Sequence, residues 1–137
     1  MLQHKNKTLS TLLALLLGSI GAHRFYLHGA RDRWGLLHLS TLPLSLLLLQ
    51  SAPNLPGLFA FGPSVLSGLI GILVALVMGL TPDEKWDARF NTGSGRQSGS
   101  GWPLIILLVL AFGGGSIALI WTIARSFDLF LTGGAYG

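Results

Sequence analysis

Apolar residues follow one another along this chain in long uninterrupted runs. No Asp, Glu, Lys or Arg occurs between Trp34 and Leu80. As a single helix this run would be about 70 Å long, at about 1.5 Å per residue. The hydrocarbon core of a bilayer is only about 30 Å thick. The run therefore predicts more than one membrane crossing.

A cluster of turn-forming residues interrupts this run between Ser51 and Gly57, where two prolines, an Asn and a Gly occur. Proline removes a backbone donor, and Asn and Gly favour turns. The run is thus predicted to form a helical hairpin. Its arms are Trp34 to Gln50, which is short for a span, and Leu58 to Leu80, which is of ordinary length.

Two more apolar segments flank this hairpin, and one of them has two interpretations. Trp102 to Ala124 is uncharged and long enough to span a bilayer. Thr8 to Ala22 spans only if Arg24 reaches back to the interface. The alternative is a secretory signal peptide with a basic start, an apolar middle from Leu9 to Leu17 and a cleavage site near Gly21. Composition alone leaves both interpretations open.

The most polar stretch runs from Thr81 to Gly101. Thr81 is predicted to cap a helix that has Pro82 in its first turn, with Glu84 completing a capping box. This helix, residues 82–91, carries aromatic and basic residues suited to the headgroup layer. Residues 92–101 are rich in Gly and Ser and predict a flexible linker. The fold class is therefore all-α, with about four membrane segments and a short interfacial helix between the third and fourth.

Composition excludes several classes of function. The 137 residues are 50% hydrophobic and 10% charged, whereas a soluble domain carries about 25% charged residues. The net charge is +4, but the basic residues are scattered rather than gathered into a patch for nucleic acid. Cysteine is absent and the four His residues lack ligand spacing, so no metal and no cofactor are expected.

Small residues recur four positions apart on two of the predicted spans. Such stripes let helix backbones approach closely in lipid. We interpret both as helix-packing seams, either within one chain or between copies. The first stripe consists of Ser10, Ala14, Gly18 and Ala22, and the second of Ser67, Gly71, Ala75 and Gly79.

The distribution of Lys and Arg predicts an orientation. With four spans, three of these residues lie with the termini and the second loop, and six lie in the first and third loops. Because cytoplasmic loops carry the excess of Lys and Arg, the first and third loops are predicted to be cytoplasmic. The expected location is the cell (inner) membrane.

Polar residues within the spans are few. His38, Thr41 and Ser45 share one face of the second segment. They could form a proton path, but without an acidic partner in the spans we favour hydrogen bonding between helices. Ser116 follows three glycines without the Gly-x-Ser-x-Gly pattern of a hydrolase. No catalytic residue is therefore proposed, and the chain is predicted not to be an enzyme.

One short motif identifies a family. Its residues are His23, Arg24, Phe25, Tyr26 and Leu27, preceded by Lys5-Asn6-Lys7 and followed by Gly35-Leu36-Leu37. This pattern resembles the two-transmembrane-helix (TM-two) domain family, in which a turn joins two membrane helices. The resemblance implies that the first segment is retained as a span. It implies an anchoring turn, for which contact with lipid or a partner is the alternative role.

The resemblance extends over about residues 5–91, because Asp83 to Asn91 is similar to the acidic and aromatic tail of bacterial members. Two features depart from the family pattern: His28 stands where a Gly is usual, and no Asp occurs between Leu58 and Leu80. Residues 102–137, an additional transmembrane helix and tail, lie outside it.

These observations predict a non-enzymatic multi-pass membrane protein with a helix–helix interaction or scaffold role. Its expected partners are membrane lipids and the helices of its own copies or of other membrane proteins. The alternative is a small homo-oligomeric channel or a transporter component.

Overall fold

The computed structural model describes residues 3–136, and all regular structure in that range is helical. The α-helices within this range are α1 (Lys7–Leu17), α2 (Ala22–His28), α3 (Arg33–Ser51), α4 (Gly57–Ala60), α5 (Gly62–Leu80), α6 (Asp83–Phe90) and α7 (Trp102–Thr132). The prediction of an all-α fold is confirmed. Helix α5 lies at the centre, where α1, α3 and α7 pack around it.

The first apolar segment reverses direction instead of continuing as one helix. After α1, a 3-10 helix at Gly18–Ile20 leads to Gly21, which has a φ of 74°. That left-handed conformation favours glycine because it has no Cβ. Helix α2 then returns toward the start of α1, so that the Tyr26 Oη accepts a hydrogen bond from the Asn6 N–H at 3.0 Å.

This reversal corrects two sequence-based expectations. His23 to Leu27 form part of α2, not a turn, and the chain turns at Gly21 and again between α2 and α3. The expectation of about four membrane segments is not confirmed. Within residues 3–136, two helices are long and apolar enough to cross a membrane, namely Gly62–Leu80 and Trp102–Thr132.

The helix after α5 starts differently from its predicted capping box. Thr81 does not cap α6, because its hydroxyl donates back to the Val77 carbonyl of α5 at 2.7 Å. Pro82 takes the cap position, without a side-chain hydrogen bond, and α6 begins at Asp83. The capping box was therefore wrong, although a helix of nearly the predicted extent is present.

Helix α7 is longer than its predicted span. It continues past Ala124 because Arg125 and Asp128 form an ion pair one turn apart on the same helix. It ends where Gly133 adopts a φ of 70°. Near its middle, a Cβ on Gly115 would lie 2.6 Å from Ile72 of α5, so α7 packs closely against the central helix there.

Candidate functional site

The two small-residue stripes face each other across α1 and α5. A Cβ placed on Gly18 would lie 2.6 Å from the Cα of Gly71, which is closer than side chains tolerate. Ser10, Ala14, Ser67 and Ala75 are buried beside this contact. The stripes thus meet within one chain at their closest point.

The ends of the two stripes have other neighbours. A Cβ on Gly79 would lie 2.6 Å from a Leu108 methyl group of α7, so this end also packs against α7. Ala22 is half-buried and begins α2. It does not share a face with Ser10, because the chain has already reversed at Gly21.

Polar side chains between α3 and α5 form a connected set, which we call the polar ladder: His38, Thr41, Ser45, Ser64 and Ser67. The His38 Nδ1 lies 2.6 Å from the Ser67 Oγ. The Ser67 hydroxyl donates to the Ser19 carbonyl at 2.7 Å. The Ser45 and Ser64 hydroxyls lie 2.9 Å apart. Because lipid offers no partners to polar groups, these bonds join α3, α5 and the 3-10 helix at Gly18–Ile20 through their polar atoms.

The amino-terminal segment binds α6, and we call this contact the amino-terminal clasp: Lys5 and Lys7 against Thr81, Asp83, Trp86 and Asn91. Lys7 is buried, forms an ion pair with Asp83 and donates to the Thr81 carbonyl at 2.8 Å. The Lys5 carbonyl accepts from the Trp86 indole N–H at 2.9 Å. The Lys5 N–H donates to the Asn91 Oδ1 at 2.6 Å.

The segment predicted to be a flexible linker is hydrogen-bonded to α6. The Ser98 N–H donates to the Asp87 carboxylate at 2.7 Å, and the Ser100 N–H donates to the Asp83 carboxylate at 2.8 Å. The hydrogen bond from Lys7 and those from Ser100 lower the pKa of Asp83 to about 2. Asp83 therefore connects the amino terminus, α6 and the approach to α7.

The TM-two motif residues make contacts inside the chain. The Arg24 guanidinium binds the Asp32 carboxylate in a two-point pair at 2.8 and 2.9 Å. This hydrogen bonding lowers the pKa of Asp32 to about 2. Asp32 also caps α3 by accepting from the Gly35 N–H at 2.7 Å. The charge of Arg24 is thus neutralised by a residue that the sequence analysis had not considered.

The other motif residues line α2. The Phe25 ring lies against Gly35, where a Cβ would come within 2.7 Å of it. The Tyr26 carbonyl accepts from the Lys5 Nζ at 2.8 Å, so the motif also supports the amino-terminal clasp. Leu27 packs against the cluster that contains Trp86.

His23 has no comparable partner. Its side chain is 1% exposed, and within the described residues neither ring nitrogen has a hydrogen-bond partner. The ring lies edge-on to His38 with centroids 5.7 Å apart. His23 also lines an open groove between α2, α3, α5 and α6.

This groove has a volume of about 430 Å³. Its floor is apolar and its rim carries basic side chains, and we call it the basic groove. It is defined by floor residues Ile70, Val74 and Val77 and by rim residues His28, Lys85 and Arg89. No sequence pattern pointed to it, because its walls come from four helices that only folding brings together.

Long apolar helices around a small polar interior are typical of helical membrane proteins. A family model described as TM2 domain matches residues 3–50. This part of the chain is therefore a TM2 domain, which confirms the predicted resemblance over α1, α2 and most of α3. The similarity noted for Asp83 to Asn91 lies outside the matched range. No curated protein and no solved structure matches the chain.

Proposed function

We propose that this chain is a non-enzymatic multi-pass membrane protein that acts as a helix-interaction scaffold. The observation that carries the proposal is the exposure of large apolar side chains along α7. Phe112, Ile117, Ile120 and Phe127 are each more than half exposed. In water such a surface would be costly, whereas in a membrane it can meet lipid or another helix.

The proposal includes three crossings, with α1 and α2 forming a re-entrant hairpin. Two of them are α5 and α7, which are long and apolar enough to span a bilayer. The third is α3, which is less apolar but has 19 residues and is about 28 Å long. Asp32 at the start of α3 contacts Arg24 of α2, whereas Ser45 further along α3 contacts Ser64 near the opposite end of α5. Helix α1 has 11 residues and is about 17 Å long, which is short of a full crossing. The clasp also keeps the amino terminus at the α6 end.

The basic residues support this arrangement. Eight of the nine Lys and Arg residues lie at the α6 end, and Arg125, paired with Asp128, lies toward the other. Because Lys and Arg concentrate in cytoplasmic segments, we infer that the α6 end is cytoplasmic. The proposal leaves the third loop on its predicted, cytoplasmic side of the membrane. It also places the amino-terminal segment on the cytoplasmic side, opposite to the side predicted for four spans.

Single-cysteine labelling tests the topology, because the natural chain has no cysteine. Gln3→Cys and Gln97→Cys should react with an impermeant maleimide from one side. Asn54→Cys and Ala135→Cys should react from the other. Under a four-span topology, Gln3→Cys would label with Asn54→Cys instead, so its side decides between the two arrangements.

Cross-linking in native membranes tests the scaffold role. Gly113 of α7 has open space around its Cα, whereas Ala111, two residues away, is fully buried. Gly113→Cys should form specific cross-linked species, and Ala111→Cys should not. If neither variant cross-links, and the protein instead carries ions across liposomes in a manner abolished by His38→Ala, the channel alternative replaces the scaffold.

A further inference from the structure

We propose that the basic groove binds one anionic phospholipid, with its phosphate at the rim and an acyl chain along the floor. The inference rests on the proposed membrane location and names a ligand for one site within it. Three observations carry it: the charge of the rim, the apolar path below it, and the buried imidazole of His23.

The rim has an excess of positive charge. Lys85 and Arg89 are exposed on α6 and form no ion pair among the described residues. His28 faces the same opening, and no carboxylate is among the groove-lining residues. Glu84 and Asp87 are the acidic residues nearest along the chain to Lys85 and Arg89, and neither lines the groove. Asp87 accepts hydrogen bonds from Asn91 and Ser98, and Asp32 is engaged by Arg24. Basic pockets of this kind at the cytoplasmic end of membrane helices suit anionic headgroups.

The apolar path continues beyond the rim. A second groove of about 300 Å³ lies between α3 and α5 and shares Trp34, His38 and Ile70 with the basic groove. It extends along α5 as far as Pro63. The two grooves together run from the α6 end toward the opposite end of α5, which is the direction of an acyl chain in a bilayer.

His23 supplies a polar group inside this path. Burying an imidazole without hydrogen bonds is unfavourable, and such groups in native proteins call for a partner. Its ring lines the basic groove next to Leu27 and His38. Both ring nitrogens are covered in the unliganded fold. A headgroup or ester oxygen of a lipid would therefore accept a hydrogen bond from this ring once a neighbouring side chain moves aside as the lipid enters the groove. A soluble anion would use the rim alone and gain nothing from the apolar path.

The test is native mass spectrometry of the full chain with equimolar phosphatidylglycerol and phosphatidylcholine that carry the same acyl chains. We expect preferential retention of phosphatidylglycerol. Lys85→Gln/Arg89→Gln should reduce this preference by about tenfold or more, since each cation near the headgroups contributes on the order of a tenfold change or slightly less. Arg31→Gln/Arg33→Gln is the matched control, because it removes two exposed cations from the same end outside the groove.

The inference would be overturned by an equal loss of preference in the control variant, or by no preference in the natural protein. Displacement of the bound lipid by millimolar glycerol 3-phosphate would also overturn it, because a headgroup alone would then suffice. If the chain shows the expected labelling topology but no lipid preference, the inference fails and the proposed function stands.

A second variant separates binding from folding. His23→Leu removes the unpartnered nitrogens but keeps an apolar side chain in their place. We expect the thermal midpoint without added lipid to be unchanged or higher, and the rise produced by phosphatidylglycerol to be smaller. A lipid-induced rise in the thermal midpoint as large as that of the natural chain would contradict the role given to His23. If Lys85→Gln/Arg89→Gln also kept the full preference for phosphatidylglycerol, the basic groove would not be the binding site.

Discussion

Lys7 at the start of α1 forms an ion pair with Asp83 at the start of α6. These two residues belong to opposite ends of the apolar region, yet they meet because α1 and α5 run antiparallel. The contact brings the amino terminus beside the segment that follows α5. It is the basis of the three-crossing topology and of the first prediction.

Acid should weaken the amino-terminal clasp. Asp83 has a pKa of about 2 in the folded chain against an ordinary value of 3.8. A depressed carboxyl pKa contributes stability above the ordinary value, which is lost as the pH falls from about 4 through 2. The thermal midpoint in detergent should therefore fall over this range, and it should fall less in Asp83→Asn. Glu84→Gln, at the exposed neighbouring position, should follow the natural profile; an identical profile for Asp83→Asn would contradict the prediction.

A methyl group at the contact between α1 and α5 should be costly. In Gly71→Ala the new Cβ would lie 2.6 Å from the Gly18 Cα, so the helix backbones must separate. We expect a loss of about 1–3 kcal/mol in unfolding free energy. Gly113→Ala is the control, since nothing lies within 4 Å of its added Cβ, and it should be neutral or stabilising. Reversible unfolding in mixed micelles measures both, and equal effects would show that the contact is not close.

Removing the Ser67 hydroxyl should destabilise the polar ladder. Ser67→Ala leaves the His38 Nδ1 without its present partner and leaves the Ser19 carbonyl with the longer bond from the Thr41 hydroxyl, at 3.4 Å. A loss of about 1 kcal/mol is expected, as for other hydrogen bonds between membrane helices. Ser116→Ala is the matched control, because that hydroxyl donates only to its own helix. The same unfolding assay applies, and a larger effect at Ser116 would contradict the assignment.

Asp32 should show two separable roles. Asp32→Ala removes both the pair with Arg24 and the cap on the Gly35 N–H, whereas Asp32→Asn keeps an oxygen that can accept from Gly35. The thermal midpoint should therefore fall more in Asp32→Ala than in Asp32→Asn. Arg24→Lys should also lower it, because an ammonium group cannot reproduce the two-point contact. Natural stability in Arg24→Lys would show that the paired geometry is unimportant.

Local sequence patterns predicted the positions of the helices better than they predicted where the chain turns between them. The uncharged runs predicted α3, α5 and α7, because burial of apolar side chains and internally satisfied backbones favour helices in lipid. The reversal at Gly21 was missed, since Thr8 to Ala22 contains no proline and its stripe of small residues, which includes Gly18, fits a continuous helix. The capping box at Thr81 failed because its hydroxyl has a competing acceptor in the helix that it ends.

The candidate site likewise contains residues that the sequence pattern identified and partners of those residues that it did not identify. The motif from His23 to Leu27 was visible as a family pattern, but its partner Asp32 was not, since nothing in the sequence pairs it with Arg24. Lys5 and Lys7 were read as basic flanking residues. Their bonds to Asp83, Trp86 and Asn91 depend on α1 packing beside α5, which no local pattern encodes.

The sequence by itself determined that this chain is helical, poor in charge and marked by a TM2 motif, because hydropathy and short motifs are local properties. Only the tertiary structure decided that the first segment turns back, that Lys7 meets Asp83, and that four helices line an open basic groove. These features depend on contacts between residues far apart in the chain. Their free energy comes from packing and paired charges that exist only once the helices have come together.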